Sequence, residues 1–248
     1  MRIYATCKEL MSEQGRNLWE MGIEVRPKHY QNKEIEGNDD FITKECMGEQ
    51  YMLLGMPDPD FLFIYTKSRE WAASELRERL SGKTINPGNA YKLRRELWEQ
   101  FLDSDGKFDY TYPERINCGS QYQETVMKNI DIVIQLLKDD PDTRKAILPI
   151  FDAFTDMNYL DGSKRIPCSM YYDFLIRQNA SGDRQLNILY HQRSSDFIDH
   201  FGNDVWLAWK TMEYVAERVG VKPGYLIHTI DSLHAYKKDW LKLKTSLE

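Results

Sequence analysis

The sequence predicts an α+β fold, in which a sheet packs against helices, and three observations carry this prediction. Apolar runs of strand length lie mainly between residues 144 and 236. Helical periodicity occupies separate segments of the chain. The two kinds of element do not alternate regularly, which argues against a parallel sheet built from strand–helix–strand units.

Three helices are predicted from apolar residues spaced three and four apart. Residues 68–82 form the first helix, which Gly82 ends. The second helix covers residues 124–143, and the sequence DDPD stops it because proline cannot continue a helix. Its apolar stripe comprises Val126, Ile130, Val133, Ile134 and Leu137. The third runs from about residue 204 to 220, and its apolar face comprises Val205, Ala208, Trp209, Met212, Val215, Ala216 and Val219.

Four strands are predicted in the second half of the chain. Residues 144–154 form a buried strand, and residues 224–236 form the last strand. Between them, residues 169–178 and 185–194 flank the turn-rich sequence NASGD. Two strand-like segments around such a turn predict a β-hairpin.

The bulk properties predict a soluble globular protein whose length fits one large domain or two small ones. The sequence shows no long linker rich in Pro, Gly or Ser, so we predict a single domain over residues 1–248. Its longest apolar runs are too short to span a bilayer, and its N-terminus lacks the apolar segment of a signal peptide. We therefore predict a cytoplasmic protein without membrane association. A net charge of −6 argues against extended nucleic-acid binding, although a local basic pocket for one phosphate stays open.

The four cysteines show neither a CxxC pair nor histidines at zinc spacing, so we predict no metal and reduced thiols. Cys168 follows a proline at the start of a predicted strand. Nearby positive charge would favour the nucleophilic thiolate there. The alternative is that Cys168 is a small buried apolar residue.

Other candidates carry charge or hydrogen-bonding groups near the same strands. Arginine, lysine and serine side chains suit a phosphate, and two ring-bearing side chains on one strand face suit sugar hydroxyls. A helical glutamate can relay protons. Each residue alone also fits an ordinary structural or solvated position. These candidates are Arg144, Lys145, Arg193, Ser194, His234, Tyr236 and Glu75.

Asp204 stands where the third helix begins. An acidic residue there can cap the helix, or it can lie in a pocket and contact a ligand. Asn203 can supply the cap in the second case.

The sequences PCSMYYDFLIRQ, LNILYHQRSSDF, GND and PGYLIHTIDSLHAY, in this order, resemble the thymidylate synthase superfamily. The resemblance covers roughly residues 68–240 and is strongest over residues 142–236. It implies a thymidylate-synthase-like mixed sheet, a homodimer and 5,10-methylenetetrahydrofolate as co-substrate.

The resemblance also implies a role for each candidate by position. Cys168 resembles the nucleophile that adds to pyrimidine C6, Glu75 the proton-relay glutamate, and Asp196 the residue that contacts the pterin. The implied substrate-binding residues are Arg193 and Ser194 at the phosphate, Arg144 and Lys145 at the phosphate from the partner subunit, His234 and Tyr236 at the sugar 3′-hydroxyl, and Gln192 beside Arg193.

Three departures from synthases that act on dUMP narrow the expected substrate. Ser169 stands where they usually have histidine, Ser232 where they have aspartate, and Asp204 where they have asparagine, eleven residues after Arg193. The phage deoxycytidylate hydroxymethylases resemble this chain at all three positions. If the chain is encoded by a phage, the predicted location is the host cytoplasm.

The exchange at Asp204 has an independent hydrogen-bonding rationale. Uracil offers an N3–H donor and an O4 acceptor, whereas cytosine offers an N3 acceptor and an N4 amino donor. A protonated carboxyl group can match cytosine. We therefore expect a dCMP 5-hydroxymethylase. The alternatives are a CMP 5-hydroxymethylase, a reductive methylase of dCMP or dUMP, and a catalytically silent nucleotide-binding homologue.

Overall fold

The computed structural model describes residues 1–245 of the chain. Its strands are β1 (Arg2–Tyr4), β2 (Ile23–Val25), β3 (His29–Tyr30), β4 (Lys33–Glu34), β5 (Thr43–Leu53), β6 (Gly119–Tyr122), β7 (Thr125–Lys128), β8 (Ile147–Pro149), β9 (Ser169–Gln178), β10 (Arg184–Gln192), β11 (Ser195–Asp196) and β12 (Lys222–Tyr236). Its helices are α1 (Cys7–Met21), α2 (Arg69–Arg79), α3 (Arg95–Trp98), α4 (Tyr112–Asn117), α5 (Asn129–Asp139), α6 (Ala153–Asp156), α7 (Gly202–Val219) and α8 (Trp240–Thr245).

One large sheet organises these elements. Its strand order is β1-β5-β12-β10-β9-β8, with β2 beside β5 and β11 beside β12. The pair β10–β12 is parallel, whereas β9–β10 and β5–β12 are antiparallel. The sheet is therefore mixed and packs against helices, which confirms the predicted α+β class.

The predicted hairpin is confirmed as β9 and β10. Arg184 pairs with Gln178 next to the turn, and the Asn179 side chain accepts hydrogen bonds from the backbone N–H groups of Ser181 and Asp183. Gly182 has a φ of 86°, a left-handed conformation that glycine adopts without steric cost. Local turn chemistry thus explains why the sequence predicted this element well.

The predicted third helix is confirmed as α7, which packs against β10 and β12. Its apolar residues Val205, Ala208, Met212 and Val215 are fully buried. The start of α7 lies very close to the turn at 59–63, because a Cβ atom at Gly202 would stand 1.8 Å from the carbonyl oxygen of Leu62. Only glycine permits this approach, which fixes the first turn of α7 relative to its neighbours.

Two predicted elements are longer than those observed. Thr125–Lys128 form a strand that pairs with β6, so the second helix begins only at Asn129. Val126, assigned to the apolar stripe, is 72% exposed, whereas the later stripe residues are buried. The predicted strand over 144–154 is reduced to Ile147–Pro149, because the Asp152 carboxylate accepts a hydrogen bond from the Phe154 N–H and begins α6.

The remaining predictions concern the first helix, the last strand and the domain. The first helix is α2, and the last strand is β12, so both are confirmed. The predicted single domain includes residues 246–248, which lie outside the described residues, and its bounds stay a prediction. Within residues 1–245, no helix is long and apolar enough to cross a membrane.

Candidate active site

A cavity of about 340 Å³ opens where α2, α7 and the ends of β10 and β12 meet. This volume lies in the range of small-molecule sites. The sequence-predicted residues that line it are Cys168, Glu75, Asp204, Arg193, Ser194, Asp196, His234 and Tyr236. The fold therefore brings together eight candidates that are up to 161 positions apart in the sequence, from Glu75 to Tyr236.

Cys168 lies at the cavity surface with Arg193 beside it. The Arg193 Nη2 atom is 3.9 Å from the Cys168 Sγ atom. The same guanidinium donates to the carbonyl oxygens of Pro167, at 2.9 Å, and Ile166, at 3.2 Å. Arg193 thus holds the loop that carries the thiol and places a permanent positive charge near the sulfur.

Asp204 contacts the cavity and is otherwise surrounded by protein. Its Oδ2 atom accepts hydrogen bonds from the Gln192 Nε2 atom, at 2.9 Å, and from the Ser195 hydroxyl, at 3.3 Å. Removal from water raises the pKa of Asp204 to about 6, and these hydrogen bonds limit the rise. The carboxyl group can therefore hold or release a proton near neutral pH.

Neither Asp204 nor Asn203 caps α7, so the predicted capping role of Asn203 is wrong. The chain is already helical over Phe197–Phe201, as a π-helical turn that runs into α7. Asp196 caps that turn, because its Oδ1 atom accepts from the backbone N–H groups of Ile198 and Asp199. Asn203 is buried and accepts a hydrogen bond from the Ser68 hydroxyl at 2.8 Å.

Asp196 itself is buried beside the cavity. Burial and the neighbouring Asp199 raise the pKa of the Asp196 carboxyl group. A raised pKa favours the protonated form, and a protonated carboxyl group can both donate and accept hydrogen bonds.

Glu75 faces the cavity rather than solvent. Its Oε1 atom forms a 2.8 Å ion pair with the Nε atom of Arg79, one helical turn later. Arg79 is 3% exposed, and its guanidinium also lies over the ring of Tyr112. These contacts orient the glutamate toward the cavity, where it can exchange protons.

His234 and Tyr236 lie side by side at the end of β12. Their rings meet edge to face, with centroids 5.2 Å apart. Burial lowers the pKa of His234 to about 4, so the imidazole is neutral at physiological pH. A neutral imidazole and a phenol both suit hydrogen bonds with hydroxyl groups.

Three predicted site residues do not line the cavity. Gln192 is fully buried behind Asp204 and reaches the site only through the Asp204 carboxylate. Arg144 and Lys145 are exposed and lie just before β8, at the edge of the sheet. Their contribution to the partner subunit's site stays a prediction.

Arg165 and the aromatic residues around it also belong to the site, although no sequence motif indicated them. Arg165 is 6% exposed and lines the cavity. Its guanidinium carbon lies 4.6 to 5.8 Å from the ring centroids of Phe101, Trp98, Tyr110 and Phe108. Among residues 1–245, no carboxylate pairs with it. The one indication in the sequence that Arg165 belongs to the site is its position three residues before Cys168.

The N-terminal part of the chain also contributes to the cavity. His29, Tyr30 and Gln31, from the β3–β4 hairpin, line it. No motif in the sequence indicates this. In the part of the chain that the structure describes, no group of three or more His, Cys, Asp and Glu side chains is placed to hold a metal ion.

Comparisons with known proteins agree with this geometry. The family model for thymidylate synthase matches residues 31–248. A putative thymidylate synthase of Methanosarcina mazei is 31% identical over 134 residues, which cover 54% of this chain and 55% of that protein. A deoxyuridylate hydroxymethyltransferase of Bacillus phage SP01 is 25% identical over 185 residues, which cover 65% of this chain and 46% of that protein. The chain thus spans about half the length of the relatives it matches.

A solved structure extends the comparison to nearly the whole chain. The thermostable thymidylate synthase A from Bacillus subtilis superimposes with a TM-score of 0.74 at 16% identity, covering 98% of this chain and 84% of that one. This likeness concerns the fold, and the family model supplies the relationship. The chain belongs to the thymidylate synthase family.

Proposed function

We propose that this chain is a deoxycytidylate 5-hydroxymethyltransferase. It would transfer a one-carbon unit from 5,10-methylenetetrahydrofolate to C5 of dCMP and add water, giving 5-hydroxymethyl-dCMP. The observation that carries the proposal is Asp204, a carboxyl group with a pKa raised to about 6 in the same cavity as Cys168.

Asp204 supports cytosine as the base. Its protonated form donates one hydrogen bond and accepts another, which matches the N3 acceptor and the N4 amino donor of cytosine. The ionised form gives the same pairing with a cytosine protonated at N3. Either way, one proton lies between Asp204 and N3.

Four other cavity residues support a nucleotide substrate. Arg193 and Ser194 offer a cation and a hydroxyl group, which suit a phosphate. His234 and Tyr236 offer a neutral imidazole and a phenol, which suit the sugar 3′-hydroxyl. Arg144 and Lys145 would complete the phosphate site from the partner subunit.

The chemistry of the chain's own residues follows from these positions. The Cys168 thiolate, which lies beside Arg193, attacks C6 of the pyrimidine. Asp204 holds the proton at N3 as negative charge develops in the ring, and C5 becomes nucleophilic. Glu75, which Arg79 orients, exchanges protons with C5, which loses its hydrogen, or with the incoming water. After water has added, the bond between Cys168 Sγ and C6 breaks, which restores the pyrimidine double bond and releases the thiolate.

The cavity also suits the folate co-substrate. A pterin is flat and carries N–H donors, and the cavity offers aromatic side chains and the Asp196 carboxyl group. When bound, 5,10-methylenetetrahydrofolate supplies the one-carbon unit. Trp98, Tyr110 and Asp196 are the residues that would hold it.

A homodimer is part of the proposal. On β9, the side chains of Tyr172, Phe174 and Ile176 on one face of the sheet are buried, whereas Tyr171, Asp173 and Leu175 on the opposite face are only partly covered. Next to them is a second, largely apolar cavity lined by Ile147, Pro149, Phe151, Met170, Tyr171, His191 and Asp231. A second copy packed on this sheet face would bury it and bring Arg144 and Lys145 near another subunit.

The relatives support the reaction class and leave the last step to experiment. The phage relative is named a hydroxymethyltransferase that acts on deoxyuridylate, and others are named thymidylate synthases. Reduction in place of water addition, and CMP in place of dCMP, are the alternatives that the experiment must separate.

The test is to incubate the protein with 5,10-methylenetetrahydrofolate and dCMP, CMP or dUMP tritiated at C5. We expect tritium release from dCMP and a product heavier by CH₂O. Release only from dUMP would contradict the role of Asp204, and a gain of CH₂ would indicate methylation. Equal release from CMP would indicate that the 2′-hydroxyl is not sensed.

A further inference from the structure

Behind Asp204, a chain of buried hydrogen bonds leads away from the cavity. The Gln192 Nε2 atom is 2.9 Å from Asp204 Oδ2, and the Gln192 Oε1 atom is 2.8 Å from the Nε2 atom of His228. The His228 Nδ1 atom is in turn 2.8 Å from the hydroxyl group of Tyr51. Gln192, His228 and Tyr51 are all fully buried, and the chemistry described above does not use Tyr51 or His228.

Protonation states limit how this chain can be directed. Burial lowers the pKa of His228 to about 3, so its imidazole is neutral and carries one N–H. Burial also raises the pKa of Tyr51 well above its ordinary value, so the phenol keeps its proton. Each bond in the chain therefore has one donor and one acceptor.

Only one direction satisfies every donor. If the Tyr51 hydroxyl donates to Nδ1, the His228 Nε2–H donates to the Gln192 carbonyl oxygen, and the Gln192 amide donates to Asp204. In the opposite direction the Tyr51 O–H has no acceptor, because within residues 1–245 His228 is its one hydrogen-bonding partner. A buried donor without a partner is costly, so the first direction is favoured.

Ring packing keeps the chain in place. The imidazole of His228 is stacked on Tyr190, with centroids 4.5 Å apart and planes inclined by 14°. Phe201 lies on a nearly parallel plane, inclined by 7°, with its centroid 6.1 Å away. A ring held on parallel neighbours does not turn freely, so the Gln192 amide group is held in one orientation.

The fixed direction of the chain makes the two oxygen atoms of Asp204 different from each other. Oδ2 receives the Gln192 amide and the Ser195 hydroxyl, so it acts as an acceptor. None of residues 1–245 donates a hydrogen bond to Oδ1, so this oxygen is available to a ligand. When Asp204 is neutral, its proton is therefore on Oδ1.

The position of this proton matters because a carboxyl group can match either pyrimidine. With the proton on the oxygen that faces N3, it matches cytosine. With the proton on the oxygen that faces the exocyclic group at C4, it donates to O4 and accepts from N3–H, which matches uracil. A carboxyl group that is free to move its proton would not distinguish the two bases.

We propose that Tyr51, His228 and Gln192 form a positioning chain that fixes the proton of Asp204 on Oδ1, and that Oδ1 is the oxygen that faces N3 of the base. This carboxyl group then discriminates cytosine from uracil nucleotides. The inference rests on the proposed function in that Asp204 must contact the base. It does not depend on whether the reaction ends in water addition or reduction.

The test compares nucleotide binding by Gln192→Met and His228→Phe variants with that of the unaltered protein. Methionine has nearly the shape of glutamine without its amide, and phenylalanine keeps the ring stack. The measured quantity is the ratio of the Kd values for dUMP and dCMP, obtained by calorimetry without folate. We expect the ratio to move toward one by about tenfold or more, because the proton becomes free to move.

A merely structural role for these residues would give a different result. A loosened pocket would weaken the binding of dCMP and dUMP equally and leave the ratio of their Kd values unchanged. Tyr190→Phe is the matched control, since it removes a buried hydroxyl from the same stack, bonded to Ser169 at 2.5 Å and outside the chain. We expect this control to keep the ratio. Tyr51→Phe removes only one hydroxyl group from the chain. It is the variant to use if Gln192→Met or His228→Phe does not fold, and the ratio of Kd values should again move toward one.

The outcomes separate the two proposals. If the unaltered protein binds dCMP and dUMP equally, Asp204 does not select the base and both proposals fail. If Asp204→Asn changes the ratio while Gln192→Met and Tyr51→Phe leave it unchanged, the positioning chain alone is overturned. A product heavier by CH₂ would overturn hydroxymethylation without affecting these binding ratios.

Discussion

Two regions of the cavity are built on opposite principles. In the first, the base wall, Asp204 and Ser195 line the cavity and the buried Gln192 and His228 lie behind them. Hydrogen bonds join each of these side chains to another protein group and leave Asp204 Oδ1 for a ligand. In the second, the aromatic wall (Arg165, Trp98, Phe108 and Tyr110), a guanidinium is surrounded by rings and has no carboxylate opposite it among residues 1–245.

The difference indicates what each wall contributes. Satisfied hydrogen bonds hold the base wall in one arrangement before any ligand arrives, which suits discrimination between two similar bases. A buried cation without a counter-charge is unfavourable in the free protein. The aromatic wall is therefore a region that a ligand completes.

The largest expected effect on turnover comes from changing Cys168, whose thiol lies in the same cavity as both walls. Cys168→Ser should lower turnover by at least about 10³-fold, because a hydroxyl is a much weaker nucleophile than a thiolate. Binding of dCMP should change little, since the recognition groups remain. Kinetics and calorimetry measure the two quantities, and Cys118→Ser, at an exposed cysteine, is the control. Retained turnover would remove Cys168 from the mechanism.

The next largest effect concerns the base wall. Asp204→Asn should shift the ratio of kcat/KM for dCMP and dUMP toward dUMP by about 100-fold, because an amide matches the uracil edge. Asp105→Asn, at an exposed position outside the cavity, should leave the ratio unchanged. An unchanged preference in the Asp204 variant would show that another residue selects the base.

A pH dependence follows from the raised pKa of Asp204, about 6. The complex with dCMP holds one proton between Asp204 and N3, whereas free Asp204 loses its proton above pH 6. Binding then takes up a proton, so affinity should fall as pH rises, by up to about tenfold per unit. Measured relative to dUMP, which shares the phosphate titration, the fall should disappear in Asp204→Asn. A ratio independent of pH in the unaltered protein would contradict this role.

The smallest expected effect tests the aromatic wall. Arg165→Met should leave the free energy of unfolding unchanged or raise it by about 1 kcal/mol, because it removes an unpaired buried charge. Affinity for the folate should fall by about tenfold, as the wall loses its cation. Arg79→Met is the contrasting control, since it leaves Glu75 unpaired and should destabilise by about 3 kcal/mol. Denaturant unfolding measures the stability of both variants, and calorimetry measures their affinity for the folate. A strongly destabilised Arg165 variant would contradict the expected difference between Arg165 and Arg79.

The sequence predicted the parts of the site that depend on local pattern. Strand alternation and turn chemistry located the β9–β10 hairpin and the pair His234–Tyr236. The family resemblance then placed Cys168, Arg193 and Asp204 in one pocket. These residues lie within or next to regular elements, where local sequence carries the structural information.

Other features depend on contacts between distant segments and were missed for that reason. Gln192 ends β10 and is buried behind Asp204, to which it donates a hydrogen bond, so it contacts the site only indirectly, and its predicted role in substrate binding stays a prediction. Arg165 is buried by rings far from it in sequence. The apolar stripe that predicted a helix from residue 124 included Val126, although the exposed β6–β7 hairpin precedes α5.

The close approach of Gly202 to Leu62 has a consequence for how this site can change over time. A Cβ atom at Gly202 would lie 1.8 Å from the Leu62 carbonyl oxygen, so backbone contact two residues before Asp204 holds the start of α7 in place. A single codon change at 204 would therefore present a different hydrogen-bonding group at the same place. Under the role proposed for Asp204, a substitution there would change the preferred base and leave the backbone in place, whereas a side chain at 202 would displace the start of α7.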